Sequence, residues 1–346
     1  MSALRRLPEL VGPAALVVAC ALLGSGVSGS LQPYFLDTLV KVSIVVALYV
    51  FIGNSGVLSF GHISFVALGA WTAGVLTMER SAKPAIMPGL AHFLLVTNVG
   101  NVPSLALAAG VGAVAALVVG LPLMRLSGLA AGIATFGVLE IVNNVLTYDQ
   151  SIGPGENAFS SVPQTTGIWQ AAVGALICVA VAFVYQRSRF GRMLRATRED
   201  PAAAAAAGIS IYRQRLLAFT VSGGLAGFAG GLYIHLLSLQ AGSLYLDLTF
   251  ITLAMLVVGG SASLLGAVVG ALAVSGLDSF FSAATNGVDL LGWHLTVPVG
   301  TAEIVVGTLM ALVLVLRPSG LTGGRELSLP RRRRRAGAPS APEPAA

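Results

Sequence analysis

The chain has 346 residues, of which 55% are hydrophobic and 10% are charged, and its formal net charge is +6. A soluble domain carries about 25% charged residues, so this chain lacks the polar surface that a water-soluble core of its size needs. The composition excludes an ordinary soluble protein and indicates an integral membrane protein.

Six apolar segments are predicted to cross the membrane in the first half of the chain. Several of them lie in long stretches without Asp, Glu, Lys or Arg, such as 84–124. These stretches exceed the ~20 apolar residues that span a bilayer as a helix, and a helix satisfies its own backbone polar groups in lipid. The short alternating segments of a transmembrane barrel are absent from the sequence. The predicted spans are 12–28, 34–52, 57–78, 103–124, 127–147 and 167–186.

The second half of the chain is predicted to add a seventh span at 216–238 and a last span at 297–316. Between them, Gly259-Gly260-Ser261 interrupts the apolar region 249–281, which predicts a hairpin of two short or tilted helices. The alternative, one straight span, would place the C-terminal arginines outside the cell. The sequence therefore predicts an all-α polytopic membrane protein with about nine transmembrane helices or half-helices.

Basic residues predict the orientation of the chain. Seven Lys and Arg residues lie between Arg187 and Arg215, and seven more lie between Arg317 and Arg335. Because basic residues near span ends stay in the cytoplasm, the loop 187–215 and the C-terminus are predicted to be cytoplasmic. Arg5 and Arg6 predict the same side for the N-terminus.

The two ends of the chain have further interpretations. Arg5-Arg6 followed by an apolar run is also typical of a signal peptide, so cleavage of residues 1–28 stays open. At the other end, Arg331–Arg335 and a Pro/Ala/Gly tail predict that a transmembrane domain, 1–321, is followed by a disordered cytoplasmic tail, 322–346, that contacts anionic lipid. A nucleic-acid partner is not expected.

The basic loop contains the sharpest local pattern, a predicted short helix. An acidic cap and a proline in the first position favour a helix start, alanine has the highest helix propensity, and a glycine can end the helix in the left-handed conformation. The helix is either a connector on the membrane surface or, as its thin profile favours, a docking element for another protein. The residues of this candidate site are Asp200, Pro201, Ala204, Ala207, Gly208 and Ile209.

Polar residues in two predicted spans are candidates for a translocation pathway. In the third span, Ser55, Ser59 and His62 have a spacing that would place them on one helical face, where they either line a water path or join helices. In the fifth span, Glu140 carries a charge that costs ~2.5–3.5 kcal/mol at the centre of a membrane, so it should be paired, neutral or facing water. The candidate pathway residues are Ser59, His62, Glu140, Asn143 and Asn144.

Other polar or small residues have a structural interpretation. Glu303, in the last span, is less favoured as a pathway residue than Glu140. Cys20 and Cys178 are predicted to be small core residues. Small residues let membrane helices approach closely, and the predicted packing seams contain Gly223, Gly227, Gly231, Gly266 and Gly270.

The sequence also lacks the common catalytic motifs. It contains no G-x-x-x-x-G-K-[ST] phosphate loop, H-E-x-x-H, C-x-x-C or G-x-S-x-G pattern,. A catalytic role, a metal site and a cofactor are therefore not expected, and any ATP hydrolysis is expected on other subunits.

Several segments between about 34 and 321 resemble, in their order and spacing, the permeases of bacterial ABC importers for branched-chain amino acids. The resemblance is to the branch of these permeases that has the longer subunit. These segments are Gly53-Asn54-Ser55-Gly56 through Ser59-Phe60-Gly61-His62, Leu126-Ser127-Gly128 through Phe136-Gly137, Glu140-Ile141-Val142, Ser188-Arg189-Phe190-Gly191-Arg192 through Arg195-Ala196, Ala206-Ala207-Gly208-Ile209, Leu217-Ala218-Phe219, Val258-Gly259-Gly260 through Leu265-Gly266, and Arg317-Pro318-Ser319-Gly320-Leu321.

The resemblance implies an importer permease fold in the bacterial cytoplasmic membrane, with the alanine helix as a coupling helix. The implied partners are two ABC ATPase subunits, a second permease subunit and an extracytoplasmic solute-binding protein. The loop Gly153-Pro154-Gly155-Glu156-Asn157 departs from the Gly-Gly-Pro-Asn usual in the family. The solute stays open among branched-chain amino acids, urea and short amides. The alternatives from other classes are a nucleotide-independent secondary transporter or channel and, more remotely, a membrane enzyme or scaffold.

Overall fold

The computed structural model describes residues 7–27, 29–149, 155, 159, 161–239, 241–285, 288–290, 293–295, 297–298, 300–317 and 319–324. Helices dominate this part of the chain, as the hydrophobic pattern predicts. In chain order they are α1 Leu7–Gly26, α2 Gln32–Ser55, α3 His62–Thr77, α4 Lys83–Ile86, α5 His92–Val96, α6 Asn101–Leu123, α7 Gly128–Tyr148, α8 Ile168–Arg187, α9 Arg189–Glu199, α10 Pro201–Ala206, α11 Ile211–Ile234, α12 Leu246–Gly259, α13 Leu264–Thr285 and α14 Thr301–Leu316, with 3₁₀ turns at Gly29–Leu31 and Ala241–Leu244.

Seven of these helices are long and apolar enough to cross a membrane, and three further apolar helices are shorter. The long ones are α1, α2, α6, α7, α8, α11 and α13, and the shorter ones are α3, α12 and α14. The multi-pass helical architecture that the sequence predicts is confirmed.

The helix α2 lies at the centre of the bundle. Every residue from Thr38 to Ser55 is buried, and the helix packs against α8, α11 and α13. Apolar residues lie on all sides of α2, with a few polar residues such as Lys41 among them, which is typical of a helix that is surrounded by others,.

Glycines allow the closest helix contacts, and the predicted packing seams are confirmed. A Cβ on Gly227 of α11 would lie 2.4 Å from the carbonyl oxygen of Ala108 in α6. A Cβ on Gly270 of α13 would lie 2.0 Å from the carbonyl oxygen of Met255 in α12. Since real Cβ atoms essentially never approach within 3.0 Å of such atoms, each position requires glycine.

The predicted break at Gly259-Gly260-Ser261 is also confirmed. The helix α12 ends there, Gly260 has φ 113°, and α13 begins at Leu264. The turn after α14 packs back on this break, where the amide of Leu321 donates to the carbonyl of Val258 over 2.8 Å. The described part of the predicted tail, residues 322–324, belongs to this turn.

Two features differ from the expected organisation or lie outside the described residues. A small antiparallel hairpin, β1 Val288–Leu290 and β2 Trp293–Leu295, stands between α13 and α14. Residues 1–6, with the arginines that predict the side of the N-terminus, and the tail from residue 325 onward lie outside the described residues.

Candidate functional site

The predicted alanine helix forms as α10, and its start is capped by a side chain. The carboxylate of Asp200 accepts hydrogen bonds from the amides of Ala202 and Ala203, both over 2.9 Å. Pro201 occupies the first position, where a missing N–H costs nothing,. This end of the bundle, where Pro201–Ala206 lies, is called the α10 end below.

Gly208 ends α10 in the left-handed conformation, with φ 79°. The amide of Ile209 donates to the carbonyl of Ala204 over 3.0 Å, and the amide of Gly208 donates to that of Ala205 over 2.9 Å. This pair of bonds is the Schellman motif. Both ends of this six-residue helix are therefore closed by local hydrogen bonds.

The outer surface of α10 is bare alanine. Ala204 is 5% exposed and faces the rest of the chain, while the other residues of α10 are exposed. Methyl groups with no flexible side chains lose little conformational entropy when a partner covers them. The arrangement suits docking; docking itself stays a prediction.

An amphipathic helix that the sequence analysis missed, α9, joins α10 to the membrane helices. Its apolar side is buried through Leu194, and the hydroxyl of Ser188 caps its start by accepting from the amide of Gly191 over 3.1 Å. The signal was present as charged residues alternating with apolar ones at helical spacing in 189–199.

The prediction that Ser55, Ser59 and His62 share one face of the third span is wrong. Ser55 is the last residue of α2, Gly56 follows with φ 70°, and His62 is the first residue of α3. The intervening residues form an irregular loop, because the left-handed glycine ends α2 where the sequence pattern suggested a helix start.

Ser59 and His62 are nevertheless in contact and buried. The Oγ of Ser59 and the Nδ1 of His62 are 2.7 Å apart. The imidazole packs among the rings of Phe51, Phe65 and Phe219, with ring centroids 5.1–6.0 Å away. These contacts favour the interpretation that the two residues join helices, and a role in the pathway stays a prediction.

Part of the predicted polar group of α7 is hydrogen-bonded around Glu140. The Nδ2 of Asn144 donates to the Oε1 of Glu140 over 2.7 Å, and the hydroxyl of Tyr245 donates to Oε2. The Oδ1 of Asn143 is buried and has no hydrogen-bond partner among the described residues. Tyr245, which precedes α12, was missed because its contact with Glu140 spans 105 residues of sequence.

The helix α7 itself lies at the edge of the bundle. Leu129 is 77% exposed, and Ile141, beside Glu140, is 64% exposed. Glu140 is also on the exposed surface. A carboxylate on an edge helix of a membrane bundle is costly in lipid, so this face requires water or a protein partner.

A second group of charges, which the sequence analysis did not connect, lies between α2 and α13. The Nζ of buried Lys41 is 2.7 Å from a carboxylate oxygen of Asp37 and 3.0 Å from one of Asp278. The pair Asp37 and Lys41 has the i, i+4 spacing of a helical ion pair, which was the available signal.

Lys41 and Asp278 form part of the wall of a cavity of about 580 Å³ between α2, α12, α13 and α14. Asp247 and Glu303 also line it, together with apolar residues such as Met310. Glu303 therefore lies in this cavity, whereas Glu140 lies on the exposed surface of α7.

The fold and these polar groups define a multi-pass helical membrane protein whose exposed loop helix lies at one end of the bundle. Residues 34–314 match the family described as branched-chain amino acid transport system / permease component. The chain belongs to this family of ABC transport permeases.

Relatives of known name agree with this membership. The chain is 30% identical over 230 residues to the high-affinity branched-chain amino acid transport system permease protein LivM of Salmonella typhimurium, a match that covers 57% of this chain and 50% of that protein. It is 24% identical over 306 residues, 80% of this chain and 89% of the relative, to a probable branched-chain amino acid transport permease protein LivM of Methanocaldococcus jannaschii.

A third relative is the autoinducer 2 import system permease protein LsrC of Klebsiella pneumoniae, 31% identical over 173 residues, which cover 47% of this chain and 49% of that protein. This chain spans about half the length of the Salmonella relative that it matches. No solved structure matches the chain.

Proposed function

We propose that this chain is the permease subunit of an ATP-driven importer for branched-chain amino acids or a similar small polar solute. It works with two ABC ATPase subunits, a second permease subunit and an extracytoplasmic solute-binding protein, in a bacterial cytoplasmic membrane with both termini in the cytoplasm. Family membership and the names of the relatives support this assignment.

The observation that carries the proposal is the exposed helix α10, which is closed at both ends. It follows directly after the basic helix α9, and the positive-inside rule predicts that this loop is cytoplasmic,. A cytoplasmic ATPase can contact the chain there without entering the membrane. Because the chain has no phosphate loop of its own,, the nucleotide energy must come from such a partner.

A charge substitution on the exposed face of α10 tests the docking. We expect Ala205→Arg to insert into the membrane normally but to reduce both co-purification of the ATPase subunits and ATP-dependent uptake. The matched control is Ala91→Arg, at an exposed alanine between α4 and α5. Normal ATPase binding and uptake by Ala205→Arg would refute the docking.

Vesicles that contain this chain without any ATPase separate the proposal from the alternative class. We expect no concentrative uptake of radiolabelled leucine in such vesicles, with or without an ion gradient. Uptake that an ion gradient drives there would identify a nucleotide-independent secondary transporter instead.

We further propose that the exposed face of α7 contributes to the translocation pathway, opposite the second permease subunit. Glu140 and its bonded partners give this face a hydrophilic patch among exposed apolar residues, as expected where one side meets a water-filled cavity. The solute then passes between two permeases, with Asn143 and Asn144 next to the acid.

The substitution Glu140→Gln tests the pathway role, because the amide keeps the shape and removes the charge. We expect lower uptake at an unchanged protein level. Glu79→Gln, at an exposed acid in the loop after α3, serves as the control. Unchanged uptake kinetics in Glu140→Gln would exclude Glu140 from the pathway.

A further inference from the structure

Two arginines of α9 each bond the last turn of a different membrane helix at the α10 end. The Nη1 of Arg198 donates to the carbonyl oxygen of Gly53 in α2 over 2.6 Å. The guanidinium of Arg195 donates to the carbonyl oxygen of Gln186 in α8. The two arginines are three residues apart, so they project from neighbouring positions on one side of α9.

These contacts suit the electrostatics of helix ends. The last four carbonyls of an α-helix have no partner within the helix, and the C-terminal end carries a partial negative charge that attracts a cation. Gly53 lies two residues before the end of α2, and Gln186 lies one residue before the end of α8. Each arginine therefore satisfies a free carbonyl and places a positive charge against a helix dipole.

Arg198 is exposed to solvent on one side, and its aliphatic part lies against Gly56. Gly56, the left-handed residue that ends α2, has its missing Cβ position 2.9 Å from the Cγ of Arg198. Any larger residue at Gly56 would meet the aliphatic part of this arginine. A glycine at position 56 thus permits the positive φ of 70° and also leaves room for the side chain of Arg198.

The bonded carbonyls belong to a tightly packed region. A Cβ on Gly53 would lie 2.7 Å from the backbone oxygen of Ser261 in the turn between α12 and α13. The hydroxyl of Tyr49 in α2 donates to the side chain of Gln186 in α8 over 2.6 Å. A force on these helix ends is therefore passed to several helices, because the packed core does not deform freely.

We propose that Arg198 and Arg195 form a clamp through which movement of α10 is transmitted to α2 and α8. The two arginines are positioning residues, since they act through backbone carbonyls and touch neither solute nor nucleotide. The link from α10 is direct, because the amide of Asp200 bonds the carbonyl of Ala196 at the end of α9 over 3.1 Å. This inference rests on the proposed function, in which an ATPase moves α10.

The test uses the chain assembled with its ATPase subunits and partner permease in lipid nanodiscs. Nitroxide labels are placed at Ala205→Cys on α10 and at Leu31→Cys, beside the far end of α2, and the distance between them is measured with and without ATP. In the otherwise unchanged complex we expect the distance to stay the same, since α10, α9 and α2 move together. With Arg198→Ala added, we expect the distance to change when ATP is supplied.

The matched control is Arg192→Ala. Arg192 is an exposed arginine of the same helix that makes no side-chain hydrogen bond with the described residues. With Arg192→Ala we expect the distance between the two labels to stay the same with and without ATP, as in the otherwise unchanged complex. If the distance responds to ATP in the same way with Arg198→Ala as without it, the clamp is refuted.

A second measurement separates transmission of movement from general damage. We expect Arg198→Ala to retain ATPase binding and ATP hydrolysis but to lower uptake of radiolabelled leucine per ATP by about tenfold, which corresponds to about 1.4 kcal/mol, the scale of one hydrogen bond to a charged group. Arg198→Lys, which keeps a donor and the charge, should restore part of this coupling, and Gly56→Ala should reproduce the loss. An unchanged ratio of uptake to hydrolysis in Arg198→Ala overturns the inference.

The outcome for α10 distinguishes failure of the clamp from failure of the proposed function. If Ala205→Arg abolishes ATPase binding while Arg198→Ala leaves the label distance and the ratio unchanged, only the clamp is wrong. If Ala205→Arg has no effect on ATPase binding, the proposed function fails as well.

Discussion

Two glycines of α6 that are only two residues apart are expected to respond in opposite directions to the same substitution. Gly112 faces α11, where an added Cβ would lie 2.5 Å from the carbonyl oxygen of Gly223 and 2.9 Å from the Cα of Gly227. Gly110 has no heavy atom within 4 Å of its Cβ position. The perturbation is Gly112→Ala, and Gly110→Ala is its control.

The magnitudes follow from two opposing effects. Alanine in a helix is more stable than glycine by up to about 1 kcal/mol, so Gly110→Ala is expected to stabilise the fold by about 0.4–1 kcal/mol. At Gly112 the backbones must separate by roughly half an ångström to relieve the contact, and overpacking of this kind costs about 1–3 kcal/mol. Because the gain from replacing glycine by alanine in a helix applies to both variants, their free energies of unfolding should differ by the overpacking cost, about 1–3 kcal/mol.

The assay is equilibrium unfolding by sodium dodecyl sulfate in mixed micelles. Labelling of the fully buried thiol of Cys178 reports the unfolded fraction, and circular dichroism provides a second probe. If Gly112→Ala is as stable as Gly110→Ala, the close packing of α6 on α11 does not determine the stability of the bundle.

Further predictions concern charges and caps. Lys41→Met should destabilise the chain by about 3–5 kcal/mol, because it leaves the carboxylates of Asp37 and Asp278 without their cationic partner. When both acids are also changed to Asn, the same unfolding assay should show that much of this loss is recovered. Asp200→Ala should weaken α10 by about 1 kcal/mol and lower ATP-dependent uptake, whereas Asp200→Asn, which can still cap, should retain it; equal losses in both would mean that the cap is not the reason. Lys83→Met should leave two loop carbonyls unpaired at a cost of about 1–3 kcal/mol and speed proteolysis of the segment 79–100, and an unchanged cleavage rate would contradict this.

The structure of α10 shows how far local sequence can predict a candidate site. Asp200 bonds amides two and three residues ahead, and Gly208 supplies the left-handed turn. Both effects depend on neighbours within a few residues, so the sequence was sufficient to predict them. These local bonds do not show which protein docks on α10, so the docking partner stays a proposal.

The start of α3 shows the opposite case. The spacing of Ser55, Ser59 and His62 fits one helical face, yet α2 runs on to Ser55 and stops at Gly56. A glycine adopts positive and negative φ about equally readily, so its presence alone does not show whether a helix ends there. Here Arg198, far away in sequence, lies against the backbone of Gly56. The ending of α2 therefore involved a contact that periodicity could not reveal.

The amino-acid sequence by itself determined that this protein is a bundle of membrane helices, since long apolar segments have no other stable form in lipid. It also determined the glycine seams, the break at Gly260 and the capped alanine helix, because these depend on composition and near neighbours. Only the tertiary structure decided that Lys41 pairs with Asp278, 237 residues away, that Tyr245 bonds Glu140, and that Arg198 holds the end of α2. The physical reason is that a polar group in a membrane protein must find a partner somewhere, and the sequence shows the need for a partner without showing which helix provides it.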